Sequence, residues 1–465
     1  MPEKVSSFRN MMQNYLKQSF IFIILLNFFL SAGLLEAQSL KKSSVAHVKW
    51  SRNKTIYEVN IRQYSPKGTF KELEAQLPRL KEMGLGILWL MPINPIGEKN
   101  RKGTLGSYYA VKDYLKVNPE YGTLDDFKSL VKKCHQLGMY IIIDWVANHT
   151  SWDNELTKTH PEFYTKDSTG NFAPPVADWT DVIDLNYDNK DLWEYMKEAL
   201  AYWVKETDID GYRCDVAAMV PTEFWNYTRK ELEKIKPVFM LAEAETQELQ
   251  EKAFDVTYSW DLYHLFSSIA AGDSNARAID SYYKRQDTVY AKDSYRMLFT
   301  TNHDENSWNG TEFERLKDGA DAFSVLTFTL KGMPLVYSGQ EAGLNRRLSF
   351  FERDPIEWKD SRYKDFFTKL IKLKGSNKAL INGDEGGEMI KIPSTNDEAV
   401  YSFTRQKGND KVLVITNLSS KDQPVKLNSD KLKGSYKDLF TGKKYSFNST
   451  ADLNLKAWEY LLLVK

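Results

Sequence analysis

From residue 55 onward the chain repeats one pattern. A short, continuous apolar run stops abruptly at polar residues, a loop follows, and then apolar residues recur three and four apart. The first run is TIYEVNIRQY (55–64). Phe70, Leu73, Leu77, Leu80 and Met83 behind it fall on one face of a predicted helix that Gly84 can end. LGILWLMP (85–92) and MYIIID (139–144) are the second and third runs. Between them Phe127, Leu130, Val131, Cys134 and Leu137 mark a helix opened by a Thr123/Asp126 capping box, with Gly138 at its stop. Trp193, Met196, Leu200, Trp203 and Val204 predict the next helix. IDGYRCD (209–215), PVFMLAE (237–243), a weaker FDVTYSW (254–260), YRMLFTTNHD (295–304) and MPLVYSGQE (333–341) complete eight runs.

Strands alternating with helices imply parallel strands joined by helical crossovers. Their continuous apolarity means that both strand faces are covered. Eight units over some 300 residues favour a closed (β/α)8 TIM barrel. The competing open, doubly wound sheet should carry a glycine-rich phosphate turn after an early strand, and the sequence has none in a useful place. Residues 145–187 separate the third strand from its helix by more than a normal loop, so they form a short inserted domain or a functional loop. After about residue 374 the runs AVYSFTR, KVLVITNL and WEYLLLVK, broken by turn residues, predict a C-terminal all-β sandwich domain. The expected organisation is a barrel over residues 38–374 and a β-sandwich over 375–465.

Residues 1–37 read differently. Lys4, Arg9 and Lys17 precede the apolar run FIFIILLNFFL (20–30), and small residues lead to Ala37, the pattern of a secretory signal peptide. The run is too short to span a membrane as a helix, and no cysteine follows it for lipid attachment. A periplasmic or secreted mature chain is expected, with no stable membrane anchor after signal removal. The 63 basic and 63 acidic residues balance to a net charge of +0, which argues against a nucleic-acid partner and against an anionic membrane surface. Cys134 and Cys214, the only two cysteines, lie within apolar segments and read as buried free thiols.

In such a barrel the polar residues that end the strands converge on one mouth. The third run ends in Asp144, with Asn148 and His149 just beyond. The fourth ends in Arg213 and Asp215, the fifth in Glu243, and the seventh in Asn302, His303 and Asp304. Singly, each has an ordinary reading: Asp144 as a partner of Arg213, either histidine as a structural hydrogen-bonder, Glu243 as the point where a strand meets solvent. Together they form a cluster whose pKa values burial and mutual repulsion must push apart. Paired carboxylates without a serine or thiol nucleophile suit glycosidic bond cleavage. Arg213 lies two residues before Asp215, on the same strand face, and would keep it ionised. Desolvation at the end of an apolar strand would raise Glu243. Zinc hydrolysis is disfavoured, because none of the six histidines has metal-ligand spacing.

These residues resemble the signature regions of the α-amylase family, family 13 of the retaining glycoside hydrolases. DWVANH (144–149), GYRCDVAAM (211–219), AEAE (242–245) and FTTNHDEN (299–306) are similar to its four regions, in family order. The resemblance implies Asp215 as nucleophile, Glu243 as general acid/base and Asp304 as transition-state stabiliser. It implies Tyr109, His149 and His303 as contacts to the sugar beside the scissile bond, Arg213 as orienter of Asp215, and Asp144 as support for Arg213. The implied substrate is an α-glucan or maltooligosaccharide, with α-1,4 cleavage by double displacement. Ala218 and Met219 stand where many family members carry Lys and His, which help hold calcium. Asn148 and Asp184 are the candidate calcium ligands that remain, so Ca2+ is left open, with no organic cofactor implied. Chain-length preference, endo versus exo action, the alternative of an oligosaccharide-acting α-glucosidase, α-1,6 action, transglycosylation and oligomeric state also stay open. A non-catalytic glucan-binding relative should have lost a carboxylate, and all three are present.

Overall fold

The computed structural model describes Ser43 and residues 45–465. The expected signal peptide, 1–37, lies outside the described residues. Each of the eight apolar runs contains a strand: β1 Ile56–Val59, β2 Ile87–Leu90, β3 Tyr140–Trp145, β4 Gly211–Cys214, β5 Phe239–Ala242, β6 Val256–Tyr258, β7 Tyr295–Leu298 and β8 Met333–Tyr337. All pairings are parallel, neighbours follow chain order, and β8 closes on β1 through Ile56↔Leu335, Tyr57↔Val336 and Glu58↔Tyr337.

Closure explains the continuous apolarity. Ile56, Ile87, Trp89, Ile142, Phe239 and Leu241 fill the barrel interior. Their strand neighbours Tyr57, Leu88, Leu90, Ile143 and Met240 face outward into the layer shared with the helices. Each such side chain, fully buried, stabilises the fold by about 1.5–3 kcal/mol, and a polar residue on either strand face would forfeit that. The helix Phe70–Met83 packs the expected face, Phe70, Leu73, Leu77, Leu80 and Met83, with Thr69 capping its first turn. Leu124–Gln136 opens with the expected Thr123/Asp126 capping box.

The segment after β3 forms a small subdomain rather than an irregular loop. His149–Ser151 pairs antiparallel with Val182–Asp184 around the helical turn Leu156–Thr159. The C-terminal region is all β: a six-stranded sheet, Glu388–Lys391, Val400–Lys407, Asp410–Asn417, Tyr460–Val464, Gly434–Asp438 and Lys444–Phe447 in spatial order, and a two-stranded antiparallel sheet of Gln423–Asn428 and Thr450–Leu455. Buried Arg405 ties this region to the barrel by donating to the carbonyls of Thr329 and Leu330, while its Nε donates to the Gly387 carbonyl within the β region. Cys134 and Cys214 are free and buried. No helix among the described residues is long and apolar enough to cross a membrane.

Candidate active site

The carboxyl ends of β3, β4, β5 and β7 place the candidate residues around one guanidinium. β4 begins at Gly211, whose φ is 149° and where a Cβ would lie 1.8 Å from the Phe239 carbonyl oxygen. Only glycine permits so close an approach, which seats Arg213 and Asp215 beside Glu243. Arg213 is fully buried. Its Nη1 donates to Asp144 Oδ1 at 2.8 Å and to Asp215 Oδ1 at 2.9 Å. Its Nη2 lies 2.8 Å from Glu243 Oε2 without the alignment of a hydrogen bond. Glu243 Oε2 instead accepts a bond from the Val216 backbone N–H at 2.8 Å. Val216 holds φ 36° and ψ 46°, a left-handed conformation that a β-branched side chain adopts only at a cost of about 1–3 kcal/mol. That strained turn aims its N–H at Glu243.

A second chain of bonds runs across the mouth. His303 Nδ1 bonds Glu58, and its Nε2 lies 2.7 Å from the Tyr109 hydroxyl and 3.3 Å from Asp304 Oδ2. Tyr109 in turn donates to Asp144 Oδ2 at 3.2 Å, as does the Trp89 indole N–H. Glu58, Trp89 and Tyr258, which reaches Arg213 Nε at 3.3 Å, are site residues that the strand-end reading missed. Their signal was a polar group inside an apolar run, as at Glu58 in TIYEVN. His149 Nε2 is 4.0 Å from Asp215 Oδ2, and its ring packs edge-on to Trp179.

Burial pushes both Asp215 and Glu243 well above the usual carboxylate range. Arg213 pulls each back, and their neighbours' negative charge opposes it. Arg213 is the cation that directly contacts all three buried carboxyls, Asp144, Asp215 and Glu243, and repulsion among them favours keeping a proton within the cluster. The aligned bond from Arg213 favours the charged form of Asp215 over that of Glu243. Burial alone drops His149 to about 3, keeping it neutral. Burial also pulls His303 down, but Asp304 and Glu58 outweigh it and hold the imidazolium up to about 9. Because this pKa is raised, its stabilisation, on the order of 3 kcal/mol, is complete below the unfolded value near 6.5 and is lost as pH rises through about 9. Denaturant melts should therefore show stability falling across that window, with the slope flattened in Glu58→Gln; an unchanged slope would contradict the pairing.

The cluster opens into a cleft of about 760 Å3 lined by Tyr109, His149, Trp179, Asp215, Val216, Glu243, Asp304, Trp308 and Phe350 among others. Asn148 and Asp184 also come close, since Asp184 pairs with His149 and the Leu185 N–H donates to the Asn148 carbonyl. The Asn148 amide, however, is turned to His149 Nδ1 at 3.3 Å. Among the described residues no group of three or more His, Cys, Asp or Glu could hold a metal. Calcium takes about 6–8 oxygens, and this pair does not make that donor set.

The family model of the α-amylase catalytic domain matches residues 37–179 and 176–414, and that of the SusG C-terminal domain of α-amylases matches 400–459. The chain belongs to the α-amylase family. It is a glycoside hydrolase of the α-amylase type. Its fold matches a noncanonic maltogenic α-amylase, AmyB, from Thermotoga neapolitana, with TM-score 0.81 and 34% identity over 89% of this chain and 98% of that one. An α-amylase from Lactobacillus plantarum gives TM-score 0.79 and 33% identity over 90% and 99%. Among curated relatives, α-amylase 2 of Dictyoglomus thermophilum is 26% identical over 85% of this chain and 74% of its own.

Proposed function

We propose that this α-amylase-family enzyme hydrolyses α-1,4-glucosidic bonds in starch-type α-glucans or maltooligosaccharides, with retention of anomeric configuration. The observation that carries the reading is Arg213 bonded to Asp144 and Asp215 and in contact with Glu243 at the base of one cleft. Such an arrangement keeps one carboxyl charged and a neighbour protonated. In this reading Asp215 attacks the anomeric carbon while Glu243 protonates the leaving oxygen. Glu243, now a carboxylate, then takes a proton from the water that releases the sugar from Asp215. Asp304, about one third exposed to the cleft, is suited to grip sugar hydroxyls as positive charge develops on the ring. Neutral His149, on the cleft wall, is suited to bond a sugar hydroxyl, while charged His303, whose two N–H groups meet Glu58 and Tyr109, fixes Tyr109 so that its ring faces the sugar. The maltogenic and α-amylase names of the relatives support this substrate class. The resemblance of residues 1–37 to a signal peptide supports action outside the cytoplasm.

Early products of maltoheptaose cleavage, followed by NMR, test the reading. The first-formed anomer is expected to be α, and a first-formed β-anomer would overturn retention. Asn148 and Asp184 alone do not complete a calcium shell, and the steps in this reading use only Asp215, Glu243 and water. Exhaustive dialysis against EDTA is accordingly expected to leave the rate unchanged, and loss of activity that calcium restores would reverse this point.

A further inference from the structure

One arc of the cleft rim is built by a loop that the reaction chemistry does not use. Residues 99–107 follow β2 and are fastened at both sides. Towards the loop after β8, Thr104 N–H donates to Glu352 Oε1 at 2.9 Å and Leu105 N–H to the Phe351 carbonyl at 3.1 Å. Towards the subdomain after β3, Lys102 Nζ donates to the Asp178 carbonyl at 2.8 Å and pairs with Asp181 Oδ1 at 3.1 Å. Asp181 is nearly buried, with 7% of its side chain exposed, so solvent screens this pair less than an open surface bridge. Gly103 makes the turn between the two anchors. Its φ is 63°, and a Cβ there would lie 2.4 Å from Phe351 Cβ. Lys102, Asp178, Asp181 and Phe351 all line the cleft.

The barrel order tells which end of the cleft this is. The loop bridges the β8, β2 and β3 rims, and β1 lies between β8 and β2. β5, which carries Glu243 at its end, is opposite β1 in the eight-stranded ring. A general acid sits beside the oxygen it protonates, so the departing part of the substrate lies towards β5 and the retained part towards β8, β1 and β2. Trp308, 52% exposed, packs on Phe350 and Phe351 on that same arc and offers the retained sugars an apolar face. The cleft's volume of about 760 Å3 falls within the roughly 300–1,000 Å3 of small-ligand sites, not that of a groove for a long polymer.

We infer that the Lys102–Asp181 bridge closes the retained-sugar end of the cleft, making Lys102 and Asp181 specificity-determining residues that restrict the enzyme to releasing short pieces from non-reducing ends. The inference rests on the glucan-hydrolase reading above. Its test is initial product analysis on maltoheptaose labelled at the reducing end. The unaltered enzyme should release short unlabelled fragments and leave the label on the long remainder. Opening the bridge with Lys102→Ala should raise the share of long unlabelled fragments roughly fivefold, the effect of losing a partly screened ion pair. Asp181→Asn, which keeps the side-chain volume, should do the same through the other partner. Long unlabelled fragments from the unaltered enzyme at the earliest times would overturn the inference, as would unchanged product lengths in both variants. Absence of any cleavage by the unaltered enzyme would refute the hydrolase reading beneath it, and is told apart because it needs no substitution.

Discussion

Asp215→Asn is expected to lower kcat on maltooligosaccharides by roughly 10⁴-fold or more, the scale on which nucleophile removal acts in covalent catalysis, with the fold retained. Asparagine is nearly isosteric and cannot form the glycosyl-enzyme. The buried surroundings tolerate the change, because Arg213 keeps its bonds to Asp144 and its contact with Glu243, and one of three mutually repelling carboxyls is gone. Thermal melting should therefore be unchanged or raised, the usual relation where an active site stores unfavourable charge. Near-normal turnover would remove Asp215 from the role of nucleophile. A collapsed melting temperature would instead assign it to the architecture.

Arg213→Met should have the largest effect on stability. It leaves Asp144 fully buried with only the weak donors Tyr109 and Trp89, and strands Asp215 and Glu243 beside it. Removing one partner of a buried ion pair costs about 3–5 kcal/mol. The loss should shrink as pH falls. Without the guanidinium the folded-state pKa values of these carboxyls rise further, the folded state binds more protons than the unfolded chain, and stability increases towards acid. Denaturant titrations from about pH 8 to about pH 5 check this. A loss under about 1 kcal/mol at the upper pH would be the value of a surface pair and would contradict the buried network.

Much of this architecture is legible along the chain because both faces of every barrel strand are buried, so each strand writes a continuous apolar run. The weakest run, around residues 254–260, contains only the three-residue strand Val256–Tyr258, too short to leave a strong pattern. The strand-end residues Asp144, Asp215, Glu243 and His303 were readable because an apolar run that stops at a charge marks the barrel mouth. Glu58 was not, since its partner His303 lies 245 residues away and meets it only when the barrel closes. The rim loops carrying Lys102, Trp308 and Phe350 have no periodicity, and their pairing across the cleft follows from tertiary placement. Nor could any local pattern show that Val216, an ordinary apolar residue in sequence, sits in a left-handed turn that presents its N–H to Glu243.

The most direct measurement is the site of covalent attachment. Incubation with a ring-fluorinated α-glucosyl fluoride, which slows release of the glycosyl-enzyme, followed by proteolysis and mass spectrometry, should place the added sugar on the peptide containing Asp215. Attachment at Asp144, Glu243 or Asp304, or turnover of the reagent with no covalent species, would contradict double displacement through Asp215.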